Sequence, residues 1–241
     1  MHRILLLVLV ALLVVVVQAA DNRYSFSLTT FDPQGRLGQV DRAGEAAAKG
    51  PPIVLLRDKD CIVGASPQIL PTPFVLDDGT SRFVPLTQDI FVAHTGVSVD
   101  GRKLTQKAQH IAVNHEYTYD ESIPVGVLLE ELSIVYQKQT QEAGSRPWGA
   151  VLVVGYVPEE GDVQIFRIDP SGAVTELSGD CVVINGARLG DFEATKEPSE
   201  LAAQLKSSFL EQQRRLGDES NVAILTASLS RSGTFQRARH T

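Results

Sequence analysis

Five histidines, two cysteines and a scatter of threonines are the first candidates for metal or nucleophilic chemistry in this 241-residue chain. The histidines are His2, His94, His110, His115 and His240. His110 and His115 fall on one expected helix, where a five-residue step rotates them off a common face, so no metal pair is expected. Cys61 and Cys181 are far apart in sequence and sit inside the apolar runs CIVGA and CVVI, where buried thiols are the plain expectation. Thr29 and Thr30 could serve as hydroxyl nucleophiles only if processing left one of them with a free amine, and the expected cleavage point lies upstream. Gly79-Thr80 and Gly233-Thr234 lie in polar segments and read as turns. Neither a glycine-rich phosphate loop nor a Gly-x-Ser-x-Gly elbow occurs. No catalytic residue, metal or cofactor is expected.

The net charge of −7 makes nucleic acid a poor partner. Basic residues are scattered, apart from Arg231, Arg237, Arg239 and His240, so residues 231–241 are expected to form a solvated basic tail. A composition 43% hydrophobic and 21% charged belongs to a globular protein. At the other end, Met1-His2-Arg3, the apolar run Ile4 to Val17 and Gln18-Ala19-Ala20 follow the order of a signal peptide. The run falls short of the ~20 residues that span a bilayer. A leader over residues 1–19, cut after Ala19, is favoured over a retained anchor, and no membrane contact is expected after cleavage.

The elements that would position any site follow from periodicity. Leu37, Val40, Ala43, Ala47 and Ala48 recur at helical spacing between Gly35 and Gly50. Ile53 to Ala65 reads as strand, polar turn and strand, and Asp89 to His94 as a further buried strand after a proline-rich connection. Two long helices follow, from Val99 to His115 and from about Pro124, the latter with Val125, Leu128, Leu129, Leu132 and Val135 on one face. Four closely spaced strands, Trp148 to Val157, Val163 to Ile168, Ala173 to Leu177 and Cys181 to Ile184, suggest an antiparallel meander. Within it Asp169-Pro170-Ser171-Gly172 suits a type I turn. A helix from Ser199 to Gln212 and a strand from Asn221 to Leu229 complete the order. Strand groups alternating with helices point to α+β architecture, a four-layer αββα sandwich.

Several stretches then resemble one family. RYSFSLTTFDPQGRLGQV resembles the opening of proteasome α-type subunits, and GVSVDGRKLTQKAQ (96–109), RPWG (146–149) and DPSG (169–172) follow in the same register. The likeness covers residues 23 to about 230. It implies the αββα sandwich of N-terminal-nucleophile hydrolases, with residues 20–34 as a gating segment and 35–230 as the folded domain. The implied role is that of a non-catalytic subunit of the outer heptameric ring of the 20S core particle. Its implied partners are other α-type and β-type subunits, together with proteasome activators or the regulatory particle.

Resemblance also assigns positions. Tyr24, Ser25 and Phe26 correspond to the gating segment and Pro33 to the turn that sets its position. Gly50, Arg82 and Val97 correspond to the intersubunit pocket that receives the C-terminal tails of activators, where the family usually has lysine at the position of Arg82. Asp41 stands where the family has glutamate and is expected to pair with that arginine across or near the pocket. The first core strand begins after Gly50-Pro51, where an active β-type subunit would expose its threonine, and Ser66 replaces an expected carboxylate. Departures include Asp41-Arg42-Ala43 for the family's Glu-Tyr-Ala, which removes the aromatic that supports an open gate. Two alternatives are a secreted or lumenal hydrolase of the same fold, which would need an exposed N-terminal nucleophile, and a membrane-tethered relative outside the ring. The leader implies entry to the secretory route, whereas the family default is cytoplasm and nucleus.

Overall fold

The computed structural model describes residues 30–69, 81–142, 144–185, 197–216 and 222–240. The leader and Tyr24, Ser25 and Phe26 lie outside them. Helix α1 (Gly38–Ala48) turns Ala43 and Ala47 inward and leads through Gly50 into β1 (Ile53–Arg57) and β2 (Cys61–Ile69). Strands β3 (Phe83–Pro85) and β4 (Ile90–Gly96) precede α2 (Ser98–Tyr119) and α3 (Val125–Gln141). Next come β5 (Ala150–Tyr156), β6 (Gln164–Ile168), β7 (Val174–Glu176) and β8 (Cys181–Ile184), then α4 (Pro198–Leu216), β9 (Val222–Ser230) and β10 (Phe235–His240).

The strands form two five-stranded antiparallel sheets, ordered β10-β9-β2-β1-β8 and β3-β4-β5-β6-β7. Between them lies a core that includes Ile53, Leu55, Ile62, Phe91, Val153, Ile165 and Leu229. On the outer face of the β5 sheet, Leu104 and Ala108 of α2 and Leu128, Leu132 and Tyr136 of α3 pack against Val92, Leu152 and Val154. On the outer face of the β1 sheet, α4 lays Leu201, Leu205 and Phe209 on Val54, Val63 and Ile224. Each such fully buried valine, leucine or isoleucine side chain contributes about 2 kcal/mol by leaving water. The result is the expected αββα sandwich.

The α3 stripe holds, with Leu128, Leu129 and Leu132 buried and Tyr136 joining them, its hydroxyl donating to the Ala150 carbonyl at 3.0 Å. Three expectations fail. The four-strand meander stops at β7, because β8 pairs with β1 through Ile53↔Ile184 to Leu56↔Cys181 in the other sheet. Residues 235–240 form β10 rather than a solvated tail. Phe235 enters the inter-sheet core and six residues register with β9, which outweighs the charge of the intervening arginines. Cys181, expected to be buried, is exposed because it opens the edge strand β8, while Cys61 is half-buried at the start of β2. Among the described residues no helix is long and apolar enough to cross a membrane.

Candidate functional site

The chain crowds three glycines where α1, β4 and β5 meet. A Cβ on Gly50 would lie 2.1 Å from the Gly96 nitrogen, and one on Gly96 would lie 2.5 Å from the Gly149 carbonyl oxygen. Gly96 also has φ +110°, a conformation that side chains rarely adopt. Only backbone fits here, so the end of α1 is pressed against the turn from β4 into α2. Hydroxyls and an amide then tie the junction. Thr95 Oγ1 donates to the Pro51 carbonyl at 2.5 Å, and Asn185 Nδ2 reaches the Ala47 carbonyl at 2.8 Å and Thr95 Oγ1 at 3.1 Å. Ser66, fully buried, donates to the Pro52 carbonyl at 2.8 Å. The position at which the resemblance expects a carboxylate is therefore a hydroxyl holding the entry to β1.

Beside this junction the two quoted motifs GVSVDGRKLTQKAQ and RPWG come together. Asp100, in the first turn of α2 and 3% exposed, receives Arg146 in a two-pronged pair, Nη1 to Oδ2 at 2.6 Å and Nη2 to Oδ1 at 2.8 Å. The Gly149 N–H donates to the same Oδ2 at 2.9 Å. Burial by itself pushes the Asp100 carboxyl up, but the Arg146 hydrogen bonds, the Gly149 amide and the neighbouring Arg146 and Lys103 charges outweigh it and hold the carboxyl below its usual range. A carboxylate in the first turn is also favoured by the helix dipole.

A third cluster lies at the same end of α2. Arg82, just before β3, lines a small cavity of about 40 Å³ with Gln68, Ser81, His94, Ser98 and Arg102. Its Nε and Nη1 are buried and find no hydrogen-bond partner among the described residues. Burial, and then the Arg102 charge, lower the Arg82 pKa below its ordinary value. His94 is 4% exposed, and its Nδ1 lies 3.2 Å from Thr105 Oγ1. Burial first, then the Arg82 and Arg102 charges, depress its pKa to about 4, so the imidazole is neutral at physiological pH. Among the described residues lining this cavity there are two arginines and no carboxylate, a setting suited to an anionic group of carboxylate size.

Among the positions assigned by resemblance, Gly50 and Val97 flank the junction at Gly96, and Arg82 lies in the neighbouring cavity. Gly50 touches Gly96, Val97 is 38% exposed as the residue capping α2, and the neighbouring Ser98 lines the Arg82 cavity. Asp41 lines a different groove, with Arg36, Glu45, Arg167 and Asp169. Pro33 is exposed in a turn closed by the Gly35 N–H donating to the Asp32 carbonyl at 2.9 Å. The Asp32 carboxylate accepts from the Gln34 and Arg36 amides at 3.0 and 2.7 Å, which fixes that turn next to α1. Arg102 and the Asp100–Arg146 pair were not singled out from the sequence, and His94 was named only as one of five histidines. Arg146 and Asp100 lay within the quoted motifs, but nothing in their spacing shows that they meet.

Two stacked antiparallel sheets between helical layers, with a glycine junction where the first core strand begins, define a subunit of the proteasome type of N-terminal-nucleophile fold. The proteasome-subunit family profile matches residues 47–186, and the chain belongs to that family. Its similarity is to the α-type members, alpha type-2 in particular. It is 37% identical over 153 residues to proteasome subunit alpha type-2 of Caenorhabditis elegans, covering 63% of this chain and 65% of that one. It is 33% identical over 215 residues to proteasome subunit alpha type-2 of Saccharomyces cerevisiae, covering 89% and 81%. Proteasome subunit alpha type-7 of Caenorhabditis elegans is 34% identical over 157 residues. The match to the nematode alpha type-2 subunit spans just under two thirds of that relative's length.

Proposed function

We propose that this chain is a non-catalytic shell subunit in the outer ring of a 20S-type core particle, and that its Gly50, Arg82 and Val97 corner receives the C-terminal carboxylate of an activator. The observation that carries the docking role is the Arg82 guanidinium, with two buried nitrogens that find no partner among the described residues, in a cavity shared with Arg102 and Ser98. A carboxylate entering there gains a charge-assisted, two-pronged partner without displacing an existing ion pair. Ring membership is supported by the family and by α2 and α3, which leave Val99, Val113, Tyr117, Tyr119 and Ile134 exposed, an apolar surface suited to burial in an assembly. The non-catalytic reading is supported by Pro51, which has no hydroxyl, ahead of the first core strand. Tyr24, Ser25 and Phe26 then act in the axial gate, on the base set by the Pro33 turn.

The test is to assemble the full chain with α-type and β-type subunits of its own source and follow binding of a labelled peptide that ends in a free carboxylate. Native mass spectrometry is expected to give a particle of proteasome size. The free-acid peptide is expected to bind better than its amidated twin, and Arg82→Met to remove the difference. A chain that stays monomeric sinks the ring reading, while an assembled particle that binds both peptides alike sinks only the docking reading. For location, we propose delivery through the secretory route, supported by the apolar run of residues 4–17. A reporter fused after Asp32 that stays in the cytosol would overturn it.

A further inference from the structure

His94 stands on β4 and lines the cavity that holds Arg82, and its neighbours fix both the ring and its proton. Gly101 of α2 makes the room, since a Cβ there would lie 2.2 Å from His94 Cδ2. Thr105 Oγ1 lies 3.2 Å from His94 Nδ1 and donates to the Gly101 carbonyl at 3.0 Å. A hydroxyl has one proton to give. With that proton on a carbonyl that can only accept, Thr105 receives from the ring, which places the imidazole hydrogen on Nδ1. The buried ring is neutral, so Nε2 carries a bare lone pair, and among the described residues no hydrogen-bond donor meets it. With Nδ1 turned to Thr105 and Cδ2 to Gly101, the edge left to face the cavity is Cε1–Nε2.

Arg82 and that lone pair set opposite terms for a ligand. Nε and Nη1 of Arg82 are buried donors without an acceptor among the described residues, whereas His94 Nε2 is an acceptor without a donor. A carboxylate satisfies the arginine but, having only lone pairs to offer, is repelled by Nε2. A cavity of about 40 Å³ leaves little room to keep them apart. One proton taken from solvent onto Nε2 removes the conflict, because the ring gains a second N–H donor and the arriving negative charge compensates its own positive one. The charges that act on the ring are Arg82, ahead of β3, and Arg102 of α2. Gln68, Ser81, Ser98 and Thr105 around it are neutral, and the Asp100 carboxylate in the first turn of α2 is committed to Arg146 and the Gly149 amide. The compensating charge therefore has to come with the ligand. We propose that docking of a carboxylate in the Arg82 cavity is coupled to uptake of one proton by His94 Nε2, so that this corner binds C-terminal tails more tightly as the pH falls. This rests on the docking role proposed for Arg82.

The His94 pKa of about 4 in the empty cavity rises when a negative charge enters, and a ligand that raises it binds more tightly as pH drops through the raised value. A peptide C-terminus stays ionised throughout that range. The experiment follows the assembled particle with the free-acid peptide and its amidated twin at about pH 7.5 and pH 5.5. A ring brought back to its ordinary 6.5 makes the free-acid preference about tenfold larger at the lower pH. Calorimetry there, in buffers of different ionisation enthalpy, is expected to show close to one proton taken up for each free-acid peptide bound. His94→Gln, whose side-chain amide can donate at every pH, should keep the free-acid preference and lose its pH dependence. If that variant fails to fold, calorimetry of the unaltered particle decides. A free-acid preference of equal size at both pH values, or binding without proton uptake, overturns the proposal and leaves docking standing. Two peptides that bind alike at both pH values sink the docking role itself, and this coupling with it.

Discussion

Two arginines near the start of α2 are treated in opposite ways. Arg146 has a side chain 66% exposed, yet its guanidinium is pinned on a buried carboxylate that also holds the Gly149 amide. Arg82 has buried nitrogens with no partner among the described residues, beside a second arginine and a neutral histidine. The first arrangement closes on itself and can only hold the α2 start against β5. The second is incomplete, and an unsatisfied buried donor costs about 1–3 kcal/mol that folding has to offset from elsewhere. Stability explains the first arginine, and the proposed docking of a carboxylate would account for the second.

The comparison can be broken most directly at Asp100. Asp100→Ala removes the two-pronged pair and the Gly149 acceptor together, and is expected to lower unfolding stability by about 3 kcal/mol, within the range for breaking a buried pair. Denaturant midpoints at unchanged slope would measure it, and a loss below about 1 kcal/mol would reduce the pair to a surface bridge. Acid is the next largest lever. The folded His94 pKa of about 4 lies below the ordinary 6.5, so between those values the unfolded chain takes up a proton that the folded chain refuses. Stability therefore falls as pH drops through that window, by about 3 kcal/mol in full. The contribution of Asp100 has the same sign but is lost at lower pH, as its depressed carboxyl protonates. His94→Asn, which keeps a polar atom near Thr105, should flatten the curve between pH 6.5 and 4 and leave the lower limb. A variant with an unchanged slope would show that His94 is not the titrating group.

Arg82→Met comes third and has the opposite sign. Replacing an unpaired buried cation by an apolar side chain of similar length should raise the thermal midpoint, by about 1 kcal/mol in stability, while docking of a free-carboxylate peptide is lost. Destabilisation instead would mean that Arg82 is held by a partner and is structural, as Arg146 is.

How much of this was readable beforehand depended on range. Helix α3 could be read because its stripe is local, and β1 and β2 because a polar turn separates two apolar runs. Strand β3 was missed because three residues ending in Pro85 give no alternation to detect. The exit of β8 to the other sheet was missed because spacing along the chain says nothing about which strand lies beside it. The edge strand β10 was read as a tail since Arg237 and Arg239 dominated the composition, while its one anchor, Phe235, is informative only once the opposite Phe91 is known. Gly50, Arg82 and Val97 came from family likeness alone, since no local pattern links residues so distant in sequence. Asp41 was expected near Arg82, but within this chain it lines the groove with Arg36, Arg167 and Asp169.

That groove supplies a third arginine, which calibrates the other two. Arg167 bonds Asp169 by Nε at 2.8 Å and Nη2 at 2.7 Å, distances as short as those of the Asp100 pair, yet the two side chains are 40% and 31% exposed. Distance alone would rank Arg167 with Arg146. The carboxylates argue otherwise: Asp169 is far more open than Asp100, which is 4% exposed, and a pair whose carboxylate is in reach of water is screened and exchanges readily for hydration. Arg167→Ala is therefore expected to cost only about 0.5 kcal/mol, and less at high salt, measured by the same denaturant midpoints as Asp100→Ala. If instead the loss matches that of Asp100→Ala, geometry rather than burial sets the strength of these pairs. The contrast between Arg146 and Arg82 would then need an account that does not rest on their access to water.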